Sequence, residues 1–234
     1  MKILLTICTT AKSFLSKVIP NSNYLKYLSF LPELEYWRKE HKEPFPFFKT
    51  RSMLYDYLNS EIIKKRPIDY LEFGVFEGNS IKYWSEINTH NMSKFWGFDT
   101  FTGLPETMFV PINTLNKGIF DMGGKLPVIA DKRVSFVKGL FQDTLSKFLK
   151  EQPMPSSLVI HIDSDLYSSS LYVLTRCNDI LIPGAIIIFD QFSAVLDEFR
   201  ALKDYCSSYR KKYEVLGATK SREDYYTQIA IRIK

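Results

Sequence analysis

From residue 69 onward, short apolar runs and helix-length segments take turns, and that alternation leaves few architectures open. The runs fall at 69–73, 95–98, 134–138, 158–162, 185–189, 213–216 and 228–233, with predicted helices over 80–88, 143–151, 168–181 and 193–212. Strands separated by helices form βαβ units on a parallel sheet, so the fold class is α/β. The last two runs are joined only by residues 217–227, too short for a helical crossover, so they pair antiparallel. The stretch 107–132 fits no element, and its Pro111, Gly118, Gly123, Gly124 and Pro127 mark a long loop of the kind that serves as a lid.

Residues 1–66 read as an N-terminal helical extension or lid, and 67–234 as the ligand-binding domain. Leu25, Leu28, Leu31, Leu34 and Trp37 recur at helical spacing, with Pro32 at an end or a break. A loop with exposed aromatics follows over 41–48, then an amphipathic helix over 53–65 that stops before Pro67.

Composition excludes several classes. With 45% hydrophobic and 24% charged residues, the chain carries a substantial core rather than a disordered tract. The net charge of +5 is spread along the chain, and Lys64-Lys65-Arg66 and Arg210-Lys211-Lys212 read as helix ends, so no nucleic-acid partner is expected. Cys8, Cys177 and Cys206 lack metal or disulfide spacing, which points to a reducing compartment. The opening apolar stretch is too short for a signal core and no run reaches a membrane span of ~18 residues, so a cytoplasmic protein without membrane contact is expected.

In an open parallel sheet, ligands bind beyond the carboxyl ends of the strands. The first tip reads Glu72-Phe73-Gly74-Val75-Phe76-Glu77-Gly78: Gly74 makes the tight turn, and Gly78 admits a ligand close to the backbone. Phe76 stands where dinucleotide binders carry their middle glycine, and Glu72 would repel a pyrophosphate. A ligand bearing an ammonium and a sulfonium suits such a tip. Asp99 follows 25 residues after Gly74, close to the spacing at which a carboxylate takes ribose hydroxyls. The tips at Asp163-Ser164-Asp165 and Asp190-Gln191 converge in this topology, and three carboxylates together call for a cation, Mg²⁺ or Ca²⁺ by the oxygen-only donor set. His161, inside its strand, reads as a core histidine with a backbone partner.

The segments L-E-F-G-V-F-E-G-N-S at 71–80, W-G-F-D-T-F-T-G-L-P-E at 96–106, K-G-L-F-Q-D-T-L at 138–145, H-I-D-S-D-L-Y-S-S-S at 161–170 and P-G-A-I-I-I-F-D at 183–190 resemble the macrocin O-methyltransferase family. The resemblance implies a Rossmann-like class I methyltransferase sandwich, seven-stranded, with the last strand pair reversed. It implies S-adenosylmethionine held by Glu72, Gly74, Val75, Gly78, Ser80, Asp99, Thr100 and Asp163, with Gly139 and Phe141 near the adenine. It further implies Mg²⁺ on Asp163, Asp190 and Gln191, Asp165 as general base beside a catalytic Asp163, and an acceptor pocket shaped by Phe101 and Tyr167. Gln191 departs from the family, which has a second acid there; an amide ligates magnesium with less charge. The expected partner is a small molecule with a free hydroxyl, a sugar or glycosylated natural product, and self-association into a homo-oligomer stays open. Two other readings remain: a nucleotide-sugar glycosyltransferase using Asp163-Ser164-Asp165 as a D-x-D, and a non-catalytic partner subunit of the same fold.

Overall fold

A computed structural model describes residues 22–41, 45–111, 114–154, 157–222 and 225–234. The expectations for residues 1–21, including Cys8, and for the loop positions 42–44 lie outside these residues. Among the described residues, no helix is long and apolar enough to cross a membrane.

The chain begins with α1 (Asn23–Glu40), followed by a two-residue strand β1 (Phe47–Phe48). Next come α2 (Arg51–Tyr57), which continues as a π-helical turn over Leu58–Ile62, then β2 (Asp69–Phe73) and α3 (Asn79–Ile87). The centre holds β3 (Lys94–Asp99), β4 (Val134–Lys138), α4 (Phe141–Glu151) and β5 (Leu158–Ile162). The last part comprises α5 (Tyr167–Arg176), β6 (Ile186–Phe189), α6 (Glu198–Tyr209), β7 (Tyr213–Arg222) and β8 (Tyr225–Ile233).

The strands form one sheet in the order β1-β7-β8-β6-β5-β2-β3-β4. Only β8 runs against the others, pairing antiparallel with both β6 and β7. The last two strands pair antiparallel as expected, whereas the strand count and the extent of the hairpin are corrected. The sheet has eight strands, because Phe47–Phe48, expected as loop, pairs in parallel with Ala218 and Thr219. The reversed element is β8 alone, and the segment expected as a long connection is mostly strand, since the hairpin pairs as far out as Arg222 and Tyr225. Pro32 sits inside α1 rather than at an end; it is on the exposed side, where water can serve the carbonyl it leaves without a donor.

β2 and β5 are buried along their whole length, as a central parallel strand covered on both faces must be. Side chains alternate across the sheet, and the two faces divide the core. Leu71, Phe73, Ile160, Ile162, Ile187 and Phe189 pack under α1, α4, α5 and α6. Tyr70, Val159, Ile186 and Ile188 pack with Leu54, Tyr55 and Leu58 of α2 and its π turn and with Ile81 and Trp84 of α3. Residues 54–63 thus share a core with the central strands. Cys177 and Cys206 are free, and burial pushes both thiols up to about 12.

Candidate active site

The carboxyl ends of β2, β3, β5 and β6 open onto a cleft of about 280 Å³. That volume lies near the lower end of ordinary small-molecule sites.

Gly74 has φ +91°, and β5 runs so close that a Cβ on Gly74 would stand 1.9 Å from the Asp163 carbonyl oxygen. Asp99 at the neighbouring tip holds the turn after Gly74. One of its oxygens accepts from the backbone N–H groups of Val75 (2.7 Å) and Phe76 (3.0 Å), and the other accepts from that of Phe101 (2.8 Å). The carboxylate still faces the cleft, with lone pairs left for a ligand.

Of the residues expected around the cofactor, Gly74, Val75, Asp99, Thr100, Phe141 and Asp163 line the cleft. Glu72, Gly78, Ser80 and Gly139 are not part of its lining. Glu72 is turned away by strand alternation: it is buried on the α2 face, where it accepts a 2.5 Å hydrogen bond from the Tyr70 hydroxyl. Gly78 is the left-handed N-cap of α3 and lies against Pro127 and Ile129.

Neither aromatic expected to shape the acceptor pocket lines the cleft. Phe101 is fully buried with φ +58° and meets Phe136 edge-to-face, because its backbone, not its ring, serves the loop: its carbonyl accepts from Met122 and Gly124. Tyr167 donates to Asp204 at 2.9 Å, with the Arg200 guanidinium 4.0 Å over its ring. The aromatics at the cleft are Phe141 together with Phe76 and Phe120, the last two in edge-to-face contact at 5.4 Å. Phe76 could have been suspected, since a bulky residue in the glycine turn has nowhere else to go.

His161 is buried, but its partners are side chains rather than backbone. Its Nδ1 lies 2.8 Å from the Tyr70 hydroxyl and 3.5 Å from Glu72, and its Nε2 lies 3.7 Å from Asp190. Burial alone would lower the imidazole pKa; Asp190 and Glu72 outweigh it and raise it to about 10, so His161 is a cation here. Asp190 is held below the usual carboxylate range in spite of burial, through His161, Arg51 and Gln228. Asp163 moves the other way, well above that range, through burial and the charge of Asp190.

Asp165, with φ +61°, is pushed up to about 6 by burial and by the nearby Asp190, against the pull of a 2.6 Å hydrogen bond from the Gln191 amide. Asp197, on the same side, rises to about 7 for the same first reason. A carboxylate near 6, facing a cleft, suits a general base at neutral pH.

The metal set expected from the sequence is not assembled. The Gln191 side chain turns to Asp165, and its backbone N–H donates to Glu198. Among the described residues one trio, His161, Asp163 and Asp190, has potential ligand atoms mutually within 4.8 Å. Each oxygen of Asp190 in that trio already accepts a hydrogen bond, Oδ1 from Gln228 (2.9 Å) and Oδ2 from Arg51 (3.1 Å), and the Arg51 guanidinium also lies 3.9 Å from Asp163, where a bridging ion would have to sit. These residues do not fit a resident divalent ion.

Arg51 is the functional residue that sequence reasoning missed. It is the first residue of α2, set there by Thr50, whose hydroxyl caps the helix by accepting from Met53 N–H at 3.2 Å. No motif surrounds it; only the docking of α2 over the strand tips brings it to the acids.

The comparisons agree with this geometry. The family described as macrocin-O-methyltransferase (TylF) matches residues 125–216. That segment is less than half of the chain, and it is there that the chain is similar to this family. The chain is 28% identical over 171 residues to the 8-demethyl-8-(2,3-dimethoxy-alpha-L-rhamnosyl)-tetracenomycin-C 4'-O-methyltransferase of Streptomyces olivaceus, a match that takes in 64% of this chain and 60% of that one. The matched part of the chain therefore spans less than two thirds of that relative's length. Among solved structures the chain is similar to the calicheamicin methyltransferase CalS11 (TM-score 0.59, 19% identity, 92% of this chain and 94% of that one). It is similar also to the O-methyltransferase NovP (TM-score 0.57, 20% identity, 78% of each chain). At these identities the likeness is one of fold alone.

Proposed function

We propose that the protein transfers a methyl group from S-adenosylmethionine to a hydroxyl of a small molecule, a sugar or a glycosylated natural product. The observation that carries this reading is one cleft holding both the Asp99-clamped turn after Gly74 and, across from it, Asp165 near pKa 6. The acceptor class is supported by relatives whose printed names concern a rhamnosyl tetracenomycin and calicheamicin. We read the domain as residues 67–234 with an N-terminal extension, and the compartment as the cytoplasm.

When bound, S-adenosylmethionine supplies a methyl on a sulfonium sulfur, which keeps the electron pair of the broken S–C bond as the new O–C bond forms. The chain's own groups do the rest. Asp99 takes ribose hydroxyls while its other contacts keep the turn in shape, and Leu140 and Phe141 wall the adenine end. Asp165 takes the acceptor's proton, and Gln191 keeps its carboxylate aimed. Positioning in a closed cleft accounts for most of the acceleration in such a displacement.

Calorimetry with S-adenosylhomocysteine tests the cofactor half. Asp99→Ala should weaken binding by about 1–3 kcal/mol as a charged hydrogen bond is lost. Absence of binding by the unaltered protein at millimolar ligand would overturn the reading.

The loop after β3 forms the cleft's outer wall. Leu104 and Met108 are buried with Leu166, and Met108 and Leu115 exchange backbone hydrogen bonds, whereas Val128 is fully exposed. Ligand binding should therefore slow amide exchange most around residues 118–130 and least at 104–108. Equal exchange with and without ligand would make the loop a fixed wall rather than a lid.

A further inference from the structure

The acidic strand tips need positive charge, and the chain supplies its own. The Arg51 guanidinium donates from Nη2 to Asp190 Oδ2 at 3.1 Å, and its Nη1 lies 3.9 Å from Asp163 Oδ2. Its side chain is 45% exposed and lines the cleft, so donors remain free on the ligand side. A guanidinium has five N–H groups in a rigid fork and stays protonated.

We propose that Arg51 is the resident cation of these tips: it fills the place where a divalent metal would bridge Asp163 and Asp190, keeps such an ion out, and hydrogen-bonds the acceptor oxygen in its stead. The last clause rests on the methyltransferase reading; the first two do not.

Two further observations agree. Both oxygens of Asp190 already accept hydrogen bonds, from Arg51 and Gln228, and a metal bridging the tips would have to displace the guanidinium. Position 191 is neutral, and its amide N–H points at Asp165 instead of offering an oxygen to the tips. A monocation needs fewer carboxylates around it than Mg²⁺, and a glutamine in place of a third acid matches that lower demand. Arginine cannot acidify a hydroxyl as a bound metal does, which leaves proton removal wholly to Asp165. Guanidinium donors aimed at the acceptor oxygen stabilise the charge that develops there as the proton leaves.

The experiment is a Mn²⁺ titration followed by electron paramagnetic resonance, on the full chain with and without S-adenosylhomocysteine. The unaltered protein should show no saturable site up to about 1 mM Mn²⁺, the weak end of protein cation affinities. Arg51→Met combined with Gln191→Asp, which removes the guanidinium and restores a third acid, should gain one site at least tenfold tighter. Arg51→Lys, which keeps the charge, should gain none. A saturable submillimolar site in the unaltered protein overturns the proposal. So does a double variant that still binds S-adenosylhomocysteine yet takes up no Mn²⁺; if that variant fails to fold, Arg51→Gln with Gln191→Asp takes its place under the same criterion. Failure of the unaltered protein to bind S-adenosylhomocysteine sinks the methyltransferase reading and leaves the manganese result standing.

Discussion

Asp165→Asn is expected to lower kcat by about 10²–10⁴-fold, the usual worth of a general base, while leaving S-adenosylhomocysteine affinity nearly unchanged. The substitution is close to isosteric, and the amide can still meet the Gln191 side chain, so geometry at the tips is preserved. The pH profile supplies a second readout. With its carboxyl near 6, Asp165 is a competent base only above that value, and activity of the unaltered protein should climb with unit slope through about pH 6. Stability runs the other way. The folded-state pKa is raised from the ordinary 3.8, so the group's favourable contribution is complete below about pH 4 and is lost as pH rises through 6. Asp165 is 94% buried, and the shift corresponds to roughly 2–3 kcal/mol of destabilisation at pH 8. Asp165→Asn removes that cost, so the variant should be nearly inactive and yet more resistant to urea at pH 8. An active variant, or one whose gain in stability over the unaltered protein is no greater at pH 8 than at pH 4, would rule out Asp165 as the buried base.

Gly74→Ala should be the most damaging single substitution at the cofactor end. The new methyl would stand 1.9 Å from the Asp163 carbonyl oxygen and 2.7 Å from its carbon, and φ +91° is a conformation alanine resists. Neither contact can relax by a side-chain rotation, because both atoms are backbone. The strand ends are tied as well: Gly74 N–H donates to Phe98 and Asp163 N–H to Phe73, at 3.0 and 2.9 Å. Adding steric conflict to backbone strain gives a loss of more than about 4 kcal/mol, at the extreme of single-residue effects. Gly78→Ala is the informative comparison. Its φ of +79° is also unfavourable, but its Cβ would meet only side chains, Pro127 at 3.0 Å and Ile129 at 3.4 Å. About 1–2 kcal/mol is expected there. Urea midpoints of the two variants decide the matter; equal, small losses would mean that β2 and β5 can part without cost.

How far the sequence could be read depended on whether a residue's role was local. The strands 69–73, 134–138 and 158–162 were legible to the residue because β-branched and aromatic side chains stop where glycine or a carboxylate begins. Asp99 and the glycine turn were legible because strand, turn and helix fix their places within one βαβ unit. Three things were not. Glu72 was expected at the cleft because it is acidic and near a strand tip, but the two-residue period of a strand sends it to the opposite face, under α2. Phe101 and Tyr167 were expected to touch the acceptor, yet burial claimed one and Arg200 with Asp204 the other. Arg51 reaches its carboxylates across 112 and 139 positions of sequence, and such a contact exists only once α2 has docked.

Phe47 and Phe48 carry no chemistry, yet they bear on whether the protein stays dispersed. Strand β7 is ten residues long, and an outermost strand of that length offers unpaired N–H and C=O groups to any other chain in extended form. The phenylalanine pair covers Ala218 and Thr219, the register of the hairpin slips between Val215 and Gly217 and twice more farther out, and the Lys220 ammonium lies 3.7 Å over the Phe47 ring. Short cover, irregular pairing and a charge are the three common guards against edge-to-edge aggregation, and here they meet within a few residues. The aromatic pair between α1 and α2 is therefore a solubility device for the far end of the chain.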